Sequence, residues 1–190
     1  LKNNWSDLEA KKISKNYLKK GINKDLALRV YTSRLLGNES SLVIHGGGNT
    51  SVKTKIENIY GQQIDVLCIK GSGWDLGNIE PEGLPAVKID ALKKLYSLDK
   101  LSDEEMVNIQ RANLTNSNSP NPSVETLLHA FLPHKFIDHT HSNAILSLCN
   151  QPNGKKICLD IFGEKVVYVP YIMPGFDLAK KSRQCFDLSL

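Results

Sequence analysis

The sequence predicts an α/β fold, an α+β sandwich in which helices cover a sheet. Three observations lead there. Apolar residues recur at helical spacing between capping residues in the first third of the chain. After Gly37 the period shortens to β-branched-rich runs separated by Gly and Asn. Strand-like and helix-like segments then follow one another without strict strand–helix–strand alternation, which points to helices laid over one sheet.

The elements read as follows. "WSDLEAKKISKNYLKKG" offers Ser6 as N-cap, Glu9 three residues on as capping-box partner, and Gly21 as a stop. "NKDLALRVYTSRLLG" repeats the plan, with Leu26, Val30, Ser33 and Leu36 in phase and Gly37 at the end. "SLVIH", "TSVKTKI" and "QQIDVLCIKG" read as strands. "PAVKIDALKKLYSLD" reads as a helix with Pro85 in its first turn, and "SDEEMVNIQRANL" as a helix capped by Ser102 with Glu105 at the box position. "SNSPNP" (117–122) is turn chemistry and precedes a helix from Ser123 to about Leu132. "KFIDH" reads as a buried strand, "SNAILSLC" as a helix and "EKVVYVPY" as a further strand. The whole of 1–190 reads as one domain, with residues 1–20 a candidate helical arm.

Composition narrows the class. An apolar fraction of 41% is that of a globular protein, and no run approaches the roughly 20 apolar residues of a membrane helix. Cys68, Cys149, Cys158 and Cys185 are scattered without C-x-x-C spacing, as expected of reduced thiols in a cytoplasmic protein. The net charge of +4 comes mainly from "EAKKISKNYLKKG". No aromatics are interleaved there to stack bases, so the segment reads as a solvated helix face and not a nucleic-acid surface.

Two histidines one residue apart, His139 and His141 in "FIDHTHSNAI", close the strand-like run. In a strand, residues i and i+2 share a side, which suits a shared divalent ion, zinc first. Alternatively one histidine packs and the other is solvated. Asp138, on the opposite side, either orients a neighbour or is solvated. Glu125, in "NPSVETLLHAF", falls in the first turn of a helix, where carboxylates are also favoured by the helix dipole alone. His129 follows at i+4 on the same face and either packs or adds a ligand. "HGGGNTS" (45–51) and "KGSGWDLG" (70–77) are glycine loops; together with Ser123 at a helix start they suit a phosphate-sized anion. Neither fits a dinucleotide fingerprint or a G-x-x-x-x-G-K-[ST] loop.

"GGGNTSVK", "KGSGWDLG", "NPSVETLLHAFLP" and "DHTHSNAI" occur in the order and approximate spacing of the class II aldolase/adducin family, and the sequence resembles that family from about Asp25 to Tyr171. Within it the wording is most similar to the aldolase part of rhamnulose-1-phosphate aldolase/dehydrogenase-type proteins. The resemblance implies a central, mostly antiparallel sheet and a zinc-dependent lyase that cleaves a phosphorylated ketose, such as rhamnulose or fuculose 1-phosphate. The products would be dihydroxyacetone phosphate and an aldehyde. It implies His139 and His141 as zinc ligands, Glu125 as the acid/base, and Gly48, Asn49, Ser72, Gly73 and Ser123 as the phosphate cradle. Val124 stands where relatives often carry a second serine, which removes one hydroxyl. It also implies a homotetramer with sites at interfaces.

One departure matters. The family draws a third zinc histidine from a later strand, and no histidine follows His141 here. Three readings stand: the chain stops short of that strand, with "YVPYIMPGFDLAKK" leading toward it; His45, His129 or His134 completes the set; or the domain is a non-catalytic, adducin-like interaction module. A sugar-phosphate epimerase or dehydratase would use nearly the same zinc geometry.

Overall fold

The computed structural model describes residues 2–189. Its centre is a four-stranded antiparallel sheet, ordered β3-β2-β1-β4, from β1 (Asn49–Glu57), β2 (Gln63–Ile69), β3 (Ala86–Lys88) and β4 (Phe136–His139). β1 and β2 form a hairpin in register Val52↔Cys68 and Thr54↔Val66. The Asn58 side chain closes its turn by accepting from the Tyr60 and Gln62 amides.

The period of two sorts the side chains between two half-cores. On one face Val52, Val66 and Cys68 pack with Tyr17, Ala27, Val30 and Leu76, under α1 (Asp7–Leu18) and α2 (Lys24–Gly37). On the other, Leu67, Ile69 and Val87 pack with residues of α3 (Ile89–Lys94), α4 (Asp103–Ala112), α5 (Thr126–Phe131) and α8 (Phe176–Asp187). Each fully buried Leu, Ile or Val contributes about 1.5–3 kcal/mol. α6 (Asn143–Cys149) and α7 (Gly154–Phe162) lie outside both clusters.

Capping follows the sequence closely. Ser6 accepts from the Glu9 amide at the start of α1, and Ser102 and Glu105 form the full reciprocal box of α4. α1 packs along α2, with Ala10, Ser14 and Tyr17 buried. The Tyr17 hydroxyl donates to Glu80 at 2.5 Å. Arg34 pairs with the same carboxylate and donates to the Ile79 carbonyl at 2.8 Å, which ties the segment after the second glycine loop to α2.

Several elements differ from the sequence reading. "SLVIH" is not a strand: the Leu42 and Val43 amides both donate to the Glu39 carbonyl, so this backbone is spent on turns. "PAVKIDALKKLYSLD" divides into β3, where Val87 is fully buried opposite Leu67, and the short α3; sheet pairing overrides the helical pattern. α5 begins at Thr126, three residues later than expected, and Glu125 is its N-cap. β4 is an edge strand, half exposed rather than buried. "EKVVYVPY" has no sheet partner, and Val166, Val167 and Tyr171 are exposed. α7 and α8 were not anticipated.

Gly37 is the last residue of α2 rather than a left-handed stop, and it is needed for close approach. A Cβ there would lie 2.1 Å from the Gly77 amide nitrogen. Gly37→Ala is expected to cost about 3 kcal/mol through overpacking of backbone on backbone, read as a lowered urea midpoint. An unchanged midpoint would show that the 76–78 turn yields freely.

Candidate active site

The site lies where β1 begins, β4 ends and α5 starts. Asn49 stands opposite His139 in the β1–β4 register. Gly48 precedes it with φ +70°, and a Cβ there would come 2.8 Å from the His139 carbonyl oxygen, so only glycine admits both the turn and the contact.

Glu125 is the centre of the arrangement. Its Oε2 lies 2.9 Å from His139 Nδ1 and accepts from Asn49 Nδ2 at 3.3 Å. An ionised carboxylate only accepts, so His139 donates through Nδ1 and keeps Nε2 free as a lone-pair donor to a metal. Burial pushes the Glu125 carboxyl up, but its hydrogen bonds from His139 and the Asn49 amide outweigh it and hold the group below the usual carboxylate value. At neutral pH it is a carboxylate, and it makes no capping bond to its own helix.

His129, one turn into α5, is fully buried. Its Nδ1 is 2.8 Å from the Ser51 hydroxyl, and its Nε2 has no partner. Burial pushes its imidazole down to about 3, so it is neutral. Ligand atoms of Glu125, His129 and His139 all lie within 4.8 Å of one another. One carboxylate and two imidazoles, one carrying an orphaned buried nitrogen, fit a zinc-type divalent ion. His141 lies just beyond β4 and is exposed, its ring centroid 4.9 Å from that of His139. Of the other candidates, His134 packs edge-on against Phe186 and His45 sits in the glycine loop with φ +48°; neither belongs to the cluster.

The anion-cradle candidates come from two loops. Ser72 donates its amide to the Asn121 carbonyl at 2.9 Å, and Gly71 bridges to Pro122, so the 70–77 loop is stitched to the turn that carries Ser123. The Ser123 hydroxyl accepts from the Glu125 amide. Ser72 and Gly73 are exposed. Val124 is half exposed beside Glu125.

Two residues escaped the sequence reading. Lys70 is buried, and its ammonium donates to the Gly46 carbonyl at 3.0 Å. Burial lowers its pKa, partly offset by the charges of Asp75 and Glu125. The signal was a cation set directly between a strand and "GSG". Arg29 is likewise buried and pairs with Asp138 at 2.6 Å. Asp138 therefore faces α2, away from Glu125. A cavity of about 650 Å³ lined by Lys53, Asp65, Asp90 and Lys93 holds none of these groups; the convergence of carboxylate and imidazoles, not cavity volume, marks the site.

An antiparallel sheet covered by helices, with a His-x-His strand end beside a helix-start glutamate, defines a class II aldolase-type domain. The chain belongs to the Class II Aldolase and Adducin N-terminal domain family, whose model matches residues 27–187. It is similar to the N-terminal class II aldolase domain of a conserved protein from Thermoplasma acidophilum, at 40% identity and a TM-score of 0.85. That likeness covers 98% of this chain and 81% of that one. It is also 46% identical over 151 residues to a Bacillus subtilis (strain 168) protein described as "Uncharacterized oxidoreductase YuxG". The match takes in 80% of this chain but 22% of that relative, so the chain spans about a fifth of its length. All four cysteines are free, and no described helix is long and apolar enough to cross a membrane.

Proposed function

We propose that the protein is a zinc-dependent carbon–carbon lyase that cleaves a phosphorylated ketose to dihydroxyacetone phosphate and an aldehyde, working as a homotetramer. The observation that carries this reading is the partly buried, ionised Glu125 held against His139 and Asn49, with the partnerless Nε2 of His129 in the same cluster.

In this reading His139 and His141 hold the ion, with Glu125 and His129 as further donors within reach of His139. When bound, a zinc ion supplies Lewis acidity to a carbonyl oxygen and its neighbouring hydroxyl. Glu125 moves the proton at the carbon beside the carbonyl, and its lowered pKa keeps it ready as a base at neutral pH. Asn49 and His139 hold that carboxylate in one orientation. Gly48, Asn49, Ser72, Gly73 and Ser123 receive the phosphate, and Lys70 places a fixed positive charge beside the same loop. Remote binding of the phosphate positions the reacting carbons.

Zinc content tests the metal reading. Protein purified without added metal or a histidine tag is expected to carry near-stoichiometric zinc, and His139→Ala to lose it. Equal zinc in both proteins would remove His139 from the ligand set, and none in either would mean that the ligand set is incomplete in this chain.

A further inference from the structure

Arg29 is 1% exposed on α2, yet its guanidinium reaches across the sheet seam. Nη1 donates to the Ser51 carbonyl at 3.3 Å and to the Ile137 carbonyl at 3.4 Å. Nη2 pairs with Asp138 at 2.6 Å and donates to the Thr32 hydroxyl. Ser51 and Ile137 stand directly opposite each other in the β1–β4 register. The next two pairs are Thr50↔Asp138 and Asn49↔His139. One side chain therefore spans both strands two residues before the Asn49–His139 pair.

β4 needs such a fastening. It has four residues, lies at the edge of the sheet, and is half exposed along its length. By strand alternation Asp138 faces α2 while His139 faces Glu125, so the strap acts on one face and the site forms on the other. A buried cation paired with a half-exposed carboxylate is a poor source of net stability, and the Arg29 Nε has no partner at all. The planar fork suits the task, because it meets acceptors on two strands at once, where an ammonium is a single point of charge.

We propose that Arg29, through Asp138 and the Ser51 and Ile137 carbonyls, is a positioning residue that straps β4 to β1 and so fixes His139 for metal binding. The metal half of this inference rests on the reading of His139 as a ligand; the strap itself does not.

The test compares the protein with Arg29→Lys and Asp138→Asn by zinc affinity, in competition with a chromophoric chelator, and by amide hydrogen exchange of the metal-free forms. Both variants are expected to bind zinc about 10–100-fold more weakly. Exchange should quicken about tenfold over 136–141 and 49–52, with the hairpin at 54–68 unchanged. Zinc affinity within about twofold together with unaltered exchange over β4 would overturn the proposal. So would exchange raised evenly over the whole sheet at unchanged affinity, the behaviour of a packing residue. If the unsubstituted protein takes up no zinc, the metal reading falls, and exchange in the metal-free variants still decides the strap. If Arg29→Lys fails to fold, Asp138→Asn alters a half-exposed side chain and carries both measurements.

Discussion

Glu125→Gln is expected to slow carbon–proton exchange on dihydroxyacetone phosphate by about 10²–10⁴-fold, the usual contribution of a positioned general base. The substitution is close to isosteric, and its effect on folding should be small. Glu125 is the N-cap of α5 but its side chain makes no capping bond, so no cap is lost. The Gln carbonyl still accepts from His139 Nδ1, whereas its amide cannot take up a proton from carbon. Exchange of the substrate proton isolates this step from cleavage and product release, and it needs only the one substrate half. Zinc content measured on the same samples shows whether the loss is of base or of metal. Exchange within a few-fold of the unsubstituted rate, with zinc retained, would mean that another group moves the proton.

Acidification from pH 6.5 to 4.5 is expected to remove about 2 kcal/mol of folding stability, the slope approaching about 1.4 kcal/mol per pH unit below pH 6. The cause is His129, whose burial pushes its imidazole from the ordinary 6.5 to about 3. Between those values the unfolded chain binds a proton that the folded chain refuses. Stability from this group is therefore complete above pH 6.5 and is lost as the pH falls. Glu125, also held below its ordinary value, adds a loss of the same sign at lower pH. Urea unfolding between pH 4.5 and 7 measures the slope, and His129→Gln should flatten it. A slope unchanged in that variant would assign the proton uptake to other groups.

Much of the architecture was legible because local signals and tertiary demands agree. The Ser6 and Ser102 caps hold, and the alternation in "TSVKTKI" and "QIDVLCI" matches the two half-cores. Where they disagree, tertiary pairing decides. "AVK" fits a helical pattern in the sequence, yet Val87 is placed by Leu67, a neighbour twenty residues away. "VVYV" has strand composition but no strand beside it. At the site, Glu125 and His139 are recognisable from type and spacing and Asn49 only through the family resemblance, as part of a phosphate cradle; the structure joins the three directly by hydrogen bonds. Arg29 and Lys70 were not, because a cation's burial depends on carbonyls distant in sequence: Ile137 for the first, Gly46 for the second. His129 reads from sequence as either packing or ligating, and its partnerless nitrogen emerges only when strand and helix are docked.

The turn between β1 and β2 offers an experimental handle. Ile59 and Tyr60 are 91% and 79% exposed, and β1 runs nine residues from Asn49 to Glu57 before reaching them. At about 3.3 Å per residue the tip stands about 26 Å from Asn49. A fluorophore or surface tether attached at Tyr60 would leave the chemistry undisturbed while reporting on it at a distance suited to energy transfer, and immobilisation there would present the Glu125 end of the molecule to solution.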